Sequence, residues 1–153
     1  MLFQGIDFVN QSGLWVTNGT AAGTFELAGI SGAFPGGIDP HDLTVFNGKV
    51  LFVGLDTAGH EGLWVTDGTL AGTFELTGIS GAAASFNPNN LTVFNGEVLF
   101  NGMDTAGNTG LWVTDGTVAG TFELTGISGA NTSLGVSPAP GHIGGRSDRL
   151  WPE

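Results

Sequence analysis

The chain has 153 residues and a formal net charge of −11, from 14 acidic and three basic side chains, and it contains no cysteine. The absence of cysteine excludes disulfides and cysteine-ligated zinc, and the lack of a basic patch argues against nucleic acid and anionic membranes as partners. With 41% hydrophobic and 11% charged residues, the composition predicts a folded chain with the length of one ordinary domain.

The N-terminal sequence MLFQGIDFVN has neither a basic segment nor an apolar run long enough for a signal peptide, and no stretch has the length of a membrane span. Cytoplasmic residence is therefore the default expectation. The low lysine content and the abundance of Gly, Asp, Asn and Thr also suit export without an N-terminal mark, so the compartment stays open.

One stretch of sequence occurs three times, over residues 13–30, 62–79 and 110–127. The repeated positions include a tryptophan and a phenylalanine, namely Trp15, Trp64 and Trp112 with Phe25, Phe74 and Phe122. Steps of 49 and 48 residues indicate a repeat protein in which each unit buries its apolar face against its neighbour. The predicted units are 2–30, 31–79 and 80–127, followed by a C-terminal extension over 128–153.

The first unit begins with LFQGID, which aligns with VLFVGLD and VLFNGMD in the later units and therefore predicts their second strand. The full second unit starts with LTVF (43–46), an Asn-Gly hairpin turn and VLFVG (50–54), whose two apolar faces predict burial on both sides. GLWVT (62–66) and TFELTGI (73–79) are the predicted third and fourth strands. In the fourth, alternation places Phe74 and Leu76 on one side and Thr73, Glu75 and Thr77 on the other.

Four antiparallel strands per unit, joined by short turns and followed by one longer link, are typical of a β-propeller blade. The sequence thus predicts an all-β fold with about three blades of about 48 residues, the first of them lacking one strand. Because propellers typically need four to eight blades, we expect identical chains to close the ring. A homodimer with about six blades is favoured over a trimer with about nine. The extension could also supply the missing strand of the first blade.

The segments GLWVTDGTLAGT (62–73) and GLWVTDGTVAGT (110–121) resemble the ELWxxDGTxxGT repeat of large bacterial proteins, and the match extends over nearly all of residues 2–130. The resemblance implies tandem β-rich units of the propeller-blade type and no settled activity. The chain departs from the pattern where Gly13, Gly62 and Gly110 replace its leading Glu, and where Asn18 replaces the Asp that stands at Asp67 and Asp115.

Two kinds of binding site are candidates. Trp15, Trp64 and Trp112 could stack on sugar rings between blades, but their alternation with apolar neighbours favours core packing. Asp56, Glu61 and Asp104 could contribute to a Ca²⁺ site, although each loop has too few carboxylates for six to eight ligands, and turn formation explains these acids better. Asp67 and Asp115 are interpreted as turn residues, and Phe25, Phe74 and Phe122 as structural positions.

Catalytic chemistry is not indicated by the sequence. His41, His60 and His142 have no spacing typical of a metal triad, and no nucleophile motif accompanies the serines. We therefore expect a non-enzymatic, self-assembling propeller without a required cofactor, which acts as a scaffold or binding module. The alternatives are a lectin-like carbohydrate-binding propeller and a secreted, Ca²⁺-binding repeat protein.

Overall fold

The computed structural model describes residues 1–130, and these residues form eleven β-strands in three antiparallel sheets. Of the predicted C-terminal extension, only residues 128–130 are described. The predicted closing strand and His142 lie outside the described residues. The strands are β1 (Leu2–Ile6), β2 (Ser12–Thr17), β3 (Thr24–Glu26), β4 (His41–Phe46), β5 (Lys49–Leu55), β6 (Glu61–Thr66), β7 (Phe74–Glu75), β8 (Asn89–Phe94), β9 (Glu97–Met103), β10 (Thr109–Thr114) and β11 (Phe122–Glu123). The predicted all-β class is confirmed.

The strands are divided among the sheets as three, four and four. The first sheet has the order β1-β2-β3, the second β4-β5-β6-β7 and the third β8-β9-β10-β11. Neighbouring strands in each sheet follow one another in the chain, as expected for hairpin connections. The chain divides into two compact units, Met1–Thr77 with the first two sheets, and a second unit that begins at Gly78 and contains the third sheet.

The Asn-Gly turns have the geometry that the sequence predicts. Asn47 and Gly48 have φ angles of 49° and 74°, and Asn95 and Gly96 have 51° and 76°. Positive φ at both central residues is the requirement of a type I′ turn, which Asn and Gly meet at little steric cost. These two turns join β4 to β5 and β8 to β9.

The first strand of each full unit is longer than predicted. It begins at His41 or Asn89 rather than at the leucine of LTVF, and its register shifts before Thr44 and Thr92. Asp42 and Asn90 lie within these irregular stretches with φ of 57° and 59°. This combination of an extra residue and a positive φ is a β-bulge, which ends regular pairing locally and bends the strand.

The fourth strand is shorter than predicted. Instead of 73–79, its regular pairing covers only Phe74–Glu75 in the second sheet. The chain makes one further ladder contact, from the Leu76 amide to the Leu63 carbonyl at 2.8 Å. It then turns away at Gly78, whose φ is 71°. The predicted strand is wrong in length because a single backbone reversal ends the pairing.

The core of the first unit lies between its two sheets. Leu14, Leu27 and Ile30 of the first repeat form one buried cluster with Ile38, Phe52 and Trp64 of the second. In β5, Leu51, Phe52 and Val53 are all buried, which confirms that both faces of this strand are covered. In the second unit, Phe86 contacts the rings of Phe100 and Trp112 edge to face, with centroids 5.6 and 4.8 Å apart. Among the described residues no helix could span a membrane.

Candidate functional site

A hydrogen-bonded turn follows the tryptophan strand in every repeat. In the second repeat, Asp67 Oδ1 accepts hydrogen bonds from the backbone amide and the hydroxyl of Thr69, at 2.9 and 2.6 Å. The Thr69 hydroxyl accepts the Gly72 amide at 3.0 Å, and the Thr73 hydroxyl donates to the Thr69 carbonyl at 2.6 Å. The same bonds recur around Asp115 and, with an amide oxygen, around Asn18.

These bonds place Asp67 and Asp115 as the sequence interpretation expects, in turns. The hydroxyl of Thr69 or Thr117, followed by the amide of the same residue, lowers the pKa of the two carboxyls. A side chain at Gly72 or Gly120 would meet the carboxylate itself, because the aspartate lies directly over the glycine. The turn therefore needs its DGT and GT positions together.

Buried threonine pairs connect this turn to the sheet. The hydroxyls of Thr66 and Thr73 are 2.7 Å apart, and Thr66 also accepts the Gly68 amide at 3.0 Å. Both threonines of this pair are almost fully buried, as are Thr114 and Thr121 of the third repeat. Since buried hydroxyls need partners, this network fixes the turn relative to the strands.

The last strand of each sheet carries a glutamate that lies over the glycine before the leucine-tryptophan pair. A Cβ on Gly62 would coincide with the carboxylate of Glu75, and Gly13 with Glu26 and Gly110 with Glu123 stand in the same relation. The contact leaves no room for a side chain at Gly13, Gly62 or Gly110 while the glutamate keeps its position. Sequence reasoning missed the contact because nothing in the spacing pairs these residues.

The carboxyl groups of these three glutamates have raised pKa values. Burial, followed by repulsion from Asp56, raises the pKa of Glu75 to about 7, although His60 opposes this shift. Burial also raises the pKa of Glu26 and Glu123, with further contributions from Asp7 and Asp104. Each repeat thus brings one loop aspartate close to one strand glutamate.

The three tryptophans differ in exposure. Trp64 and Trp112 are 0% exposed, and each indole donates a hydrogen bond at 3.1 Å, to the carbonyl of Gly54 or Gly102. Trp15 is partly exposed, and its buried Nε1 has no hydrogen-bond partner among the described residues. The burial of two rings favours the packing role, so of the three repeated tryptophans only Trp15 offers surface on which a sugar could stack.

The acidic loop residues lie in turns of their own. Asp56 Oδ1 accepts the amides of Ala58 and His60, and Asp104 Oδ1 accepts those of Ala106 and Asn108, all at 2.8–2.9 Å. These are Asx turns. The remaining candidate metal ligand is Glu61, whose Oε1 lies 3.7 Å from His41 Nε2. Within residues 1–130 no group of three His, Cys, Asp or Glu side chains could hold a metal ion.

The repeated phenylalanines are surface residues rather than core residues. Phe25, Phe74 and Phe122 are 51%, 44% and 48% exposed. Phe74 pairs with Val65 across the sheet, which places it on the side opposite Trp64. The polar neighbours Thr73 and Glu75 share the tryptophan side, because they pair with Thr66 and Trp64.

Two apolar faces are less covered than their equivalents elsewhere in the chain. Leu14, Leu27 and Ile30 are buried, as are Leu63, Leu76 and Ile79, whereas the third set, Leu111, Leu124 and Ile127, is partly exposed. Likewise Phe52, Trp64, Phe100 and Trp112 are fully buried, whereas Phe3 and Trp15 are partly exposed. The first repeat therefore leaves an aromatic face open, and the third repeat leaves an aliphatic face open.

Comparison of the chain with family models, with curated proteins and with solved structures finds no match. The functional interpretation therefore depends on the geometry of the repeats.

Proposed function

We propose that this chain is a non-enzymatic, self-assembling β-propeller in which each sheet is a blade, and that the assembled ring serves as a scaffold or binding module. The observation that carries the proposal is the pair of open faces, one aromatic and one aliphatic. Within the first unit the same two kinds of face are in contact with each other.

The contact in the first unit is the template for assembly. There the aromatic face of the second sheet, with Phe52 and Trp64, packs on the aliphatic face of the first sheet, with Leu14, Leu27 and Ile30. The rings of Phe52 and Trp64 are stacked with centroids 6.2 Å apart and an angle of 24° between their planes. Phe3 and Trp15 have nearly the same arrangement, at 6.4 Å and 29°. The open aromatic face is therefore preformed.

The complementary face is found at the other end of the repeats. Leu111, Leu124 and Ile127 occupy the positions of Leu14, Leu27 and Ile30 in the third repeat. A head-to-tail contact, in which Phe3 and Trp15 of one copy pack on these three residues of the next, repeats the observed packing between chains. Such heterologous contacts form a closed ring when the rotation closes.

The apolar area makes this association favourable. A face of several hundred Å² at roughly 25 cal/mol per Å² corresponds to a gross gain on the order of 10 kcal/mol. Part of this gain is lost as the chains give up rotational and translational freedom. Two copies give about six blades, which lies within the usual range of propellers, whereas three give about nine. The homodimer is accordingly the proposed assembly.

The test uses one variant of each face. Leu124→Asp and Trp15→Asp are each expected to reduce the mass in solution to that of one chain, because a charge is buried against apolar surface. Mixing the two variants in equal amounts restores a two-chain species, since each retains the face that the other lacks. Val118→Asp, at an apolar turn residue that is 39% exposed, is the control and is expected to assemble normally.

The mixing result separates head-to-tail contact from other modes. If the mixture stays monomeric while both variants remain folded by circular dichroism, the two faces do not bind each other and the proposed assembly is wrong. Full assembly of either single variant would contradict it in the same way.

A further inference from the structure

The sequence contains a single Asp-Pro step, at Asp39 and Pro40, in the link between β3 and β4. Acid breaks an Asp-Pro bond more easily than other peptide bonds, for two reasons. The tertiary amide nitrogen of proline is more basic than other amide nitrogens, and the aspartate carboxylate can attack the main-chain carbonyl of its own residue. The groups around this bond therefore bear on its lifetime.

Asp39 has an unusual backbone conformation for a residue that precedes proline. Its φ is 48°, whereas a residue in this position ordinarily has an extended conformation with negative φ. Two hydrogen bonds hold it against the first sheet. The Asp39 amide donates to the Ser12 carbonyl at 3.1 Å, and Gln4 Nε2 donates to Asp39 Oδ1 at 3.0 Å. The fold thus keeps the residue before the bond in a strained conformation and holds its carboxylate by one oxygen.

A histidine contacts the carbonyl group of the same bond. His41 Nδ1 lies 3.2 Å from the main-chain oxygen of Asp39. Because a carbonyl oxygen only accepts hydrogen bonds, Nδ1 is the donor. On the other side of the ring, Nε2 lies 3.7 Å from Glu61 Oε1. A donor at the carbonyl oxygen stabilises the negative charge that develops there when a nucleophile adds to the carbonyl carbon.

We infer that the peptide bond between Asp39 and Pro40 is a self-cleavage site, with the Asp39 carboxylate as the nucleophile and His41 as the donor to the carbonyl oxygen. The carboxylate and the carbonyl belong to one residue, so the attack is intramolecular and closes a five-membered ring. Asp39 is exposed, which lets water reach the product of this step. The inference does not depend on the proposed ring, because every group involved lies in the first unit.

The proposed reaction consumes one water molecule and no other reagent. A carboxylate oxygen of Asp39 forms a bond to the main-chain carbonyl carbon of the same residue, and the bond from this carbon to the Pro40 nitrogen breaks. The nitrogen keeps the electron pair of that bond and takes up a proton, so Pro40 becomes a free secondary amine. Asp39 is left as a cyclic anhydride, which water opens to two carboxyl groups. The net result is hydrolysis of one peptide bond.

The third repeat has a similar arrangement without the nucleophile. Asn87 takes the place of Asp39 before Pro88, and its φ is 49°. The Ser85 hydroxyl donates to Asn87 Oδ1 at 3.1 Å, and Asn89 Nδ2 donates to the Asn87 carbonyl at 3.1 Å. The backbone conformation therefore does not require an aspartate, and the chain has an internal control for the role of the carboxylate.

Cleavage of the full chain is measured by the appearance of fragments 1–39 and 40–153 in mass spectrometry under denaturing conditions. Denaturation is needed because the packing between the first two sheets would keep a cleaved chain together. The chain is incubated in mildly acidic buffer, since acid supplies the proton for the departing nitrogen. One sample is folded and a second is unfolded in urea at the same pH. The folded sample is expected to cleave at least about tenfold faster, because the carboxylate and the donor are held in place.

Substitutions at the two residues separate their roles. Asp39→Asn should stay folded, as Asn87 does in the third repeat, and is expected to slow cleavage at least about tenfold. His41→Ala removes the donor to the carbonyl and is expected to slow cleavage at least about tenfold. His41→Asn is expected to retain most of the rate, because Asn89 donates to the equivalent carbonyl in the third repeat.

Asn87→Asp tests the arrangement by a gain of cleavage. This single substitution places a carboxylate beside a carbonyl that already has its donor, and the folded variant should yield the new fragments 1–87 and 88–153. These fragments should form faster than from the same variant in urea. The inference would be overturned if the folded parent chain stayed intact or cleaved no faster than in urea. An unchanged rate in Asp39→Asn or His41→Ala, or no new fragments from Asn87→Asp, would also overturn it.

Discussion

Replacement of Glu75 by Gln should stabilise the protein in alkaline solution and change little in acid. The folded state holds this carboxyl over Gly62 with a pKa of about 7, whereas its ordinary value is 4.5. Between these values the folded chain binds more protons than the unfolded chain, so the free energy of unfolding falls as the pH rises. At a pH above the pKa of the folded state, Glu75 is charged in both states, and its charge destabilises the folded state by the full amount. Gln removes that charge.

The magnitude follows from the size of the shift and from exposure. The rise of the pKa from 4.5 to about 7 corresponds to at most about 3 kcal/mol. Glu75 is only about half buried, so solvent screening reduces the expected gain to about 1–2 kcal/mol. At about pH 4 both states hold a neutral side chain, and the gain should approach zero.

Urea unfolding at fixed protein concentration, from about pH 4 to pH 8.5, measures this dependence. Glu97→Gln makes the same change at an exposed carboxylate on β9 and serves as the control. Gly62→Ala provides a second test, because its methyl group would occupy the place of the Glu75 carboxylate and push it into solvent. A gain for Glu75→Gln that is equal at both ends of the pH range, or larger in acid, would refute the reasoning.

Three further substitutions test the packing of the repeats by the change in unfolding free energy in urea. Thr66→Val should cost about 1–3 kcal/mol because it leaves buried partners unbonded, and an equal loss for the less buried Thr17→Val would contradict this reason. Gly48→Ala should cost about 1 kcal/mol since its φ is 74°, and a stabilised variant would argue against the type I′ turn. Trp64→Phe should cost about 2–3 kcal/mol through the cavity and the lost indole bond, and more than Trp15→Phe in the monomeric Leu124→Asp background. The opposite order would show that burial does not govern the role of these rings.

The local rules of turns and strands made much of the fold predictable. Asn47-Gly48 identified a hairpin because few other pairs accept positive φ twice, and the two apolar faces of β5 identified a strand covered on both sides. The repeat then located equivalent strands in all three sheets. The starts and ends of strands were not predictable. They depend on the bulge at Asp42 and the reversal at Gly78, and neither residue type requires a positive φ wherever it occurs.

The candidate site was less predictable than the fold. The turn role of Asp67 followed from residue type, but the position of Glu75 over Gly62 depends on pairing between strands that sequence spacing does not reveal. Phe74 recurs in every repeat, yet it lies in β7, a short strand at the edge of its sheet, and is 44% exposed. Recurrence identifies a structurally equivalent position, and it does not say whether that position is buried.

The mass of the unmodified protein in solution, measured by multi-angle light scattering over a range of concentrations, tests the central proposal most directly. A closed ring of two chains requires twice the chain mass of 15.6 kDa, with no further growth as the concentration rises. A folded species that keeps the mass of one chain at all concentrations would contradict assembly through the open faces of the first and third repeats.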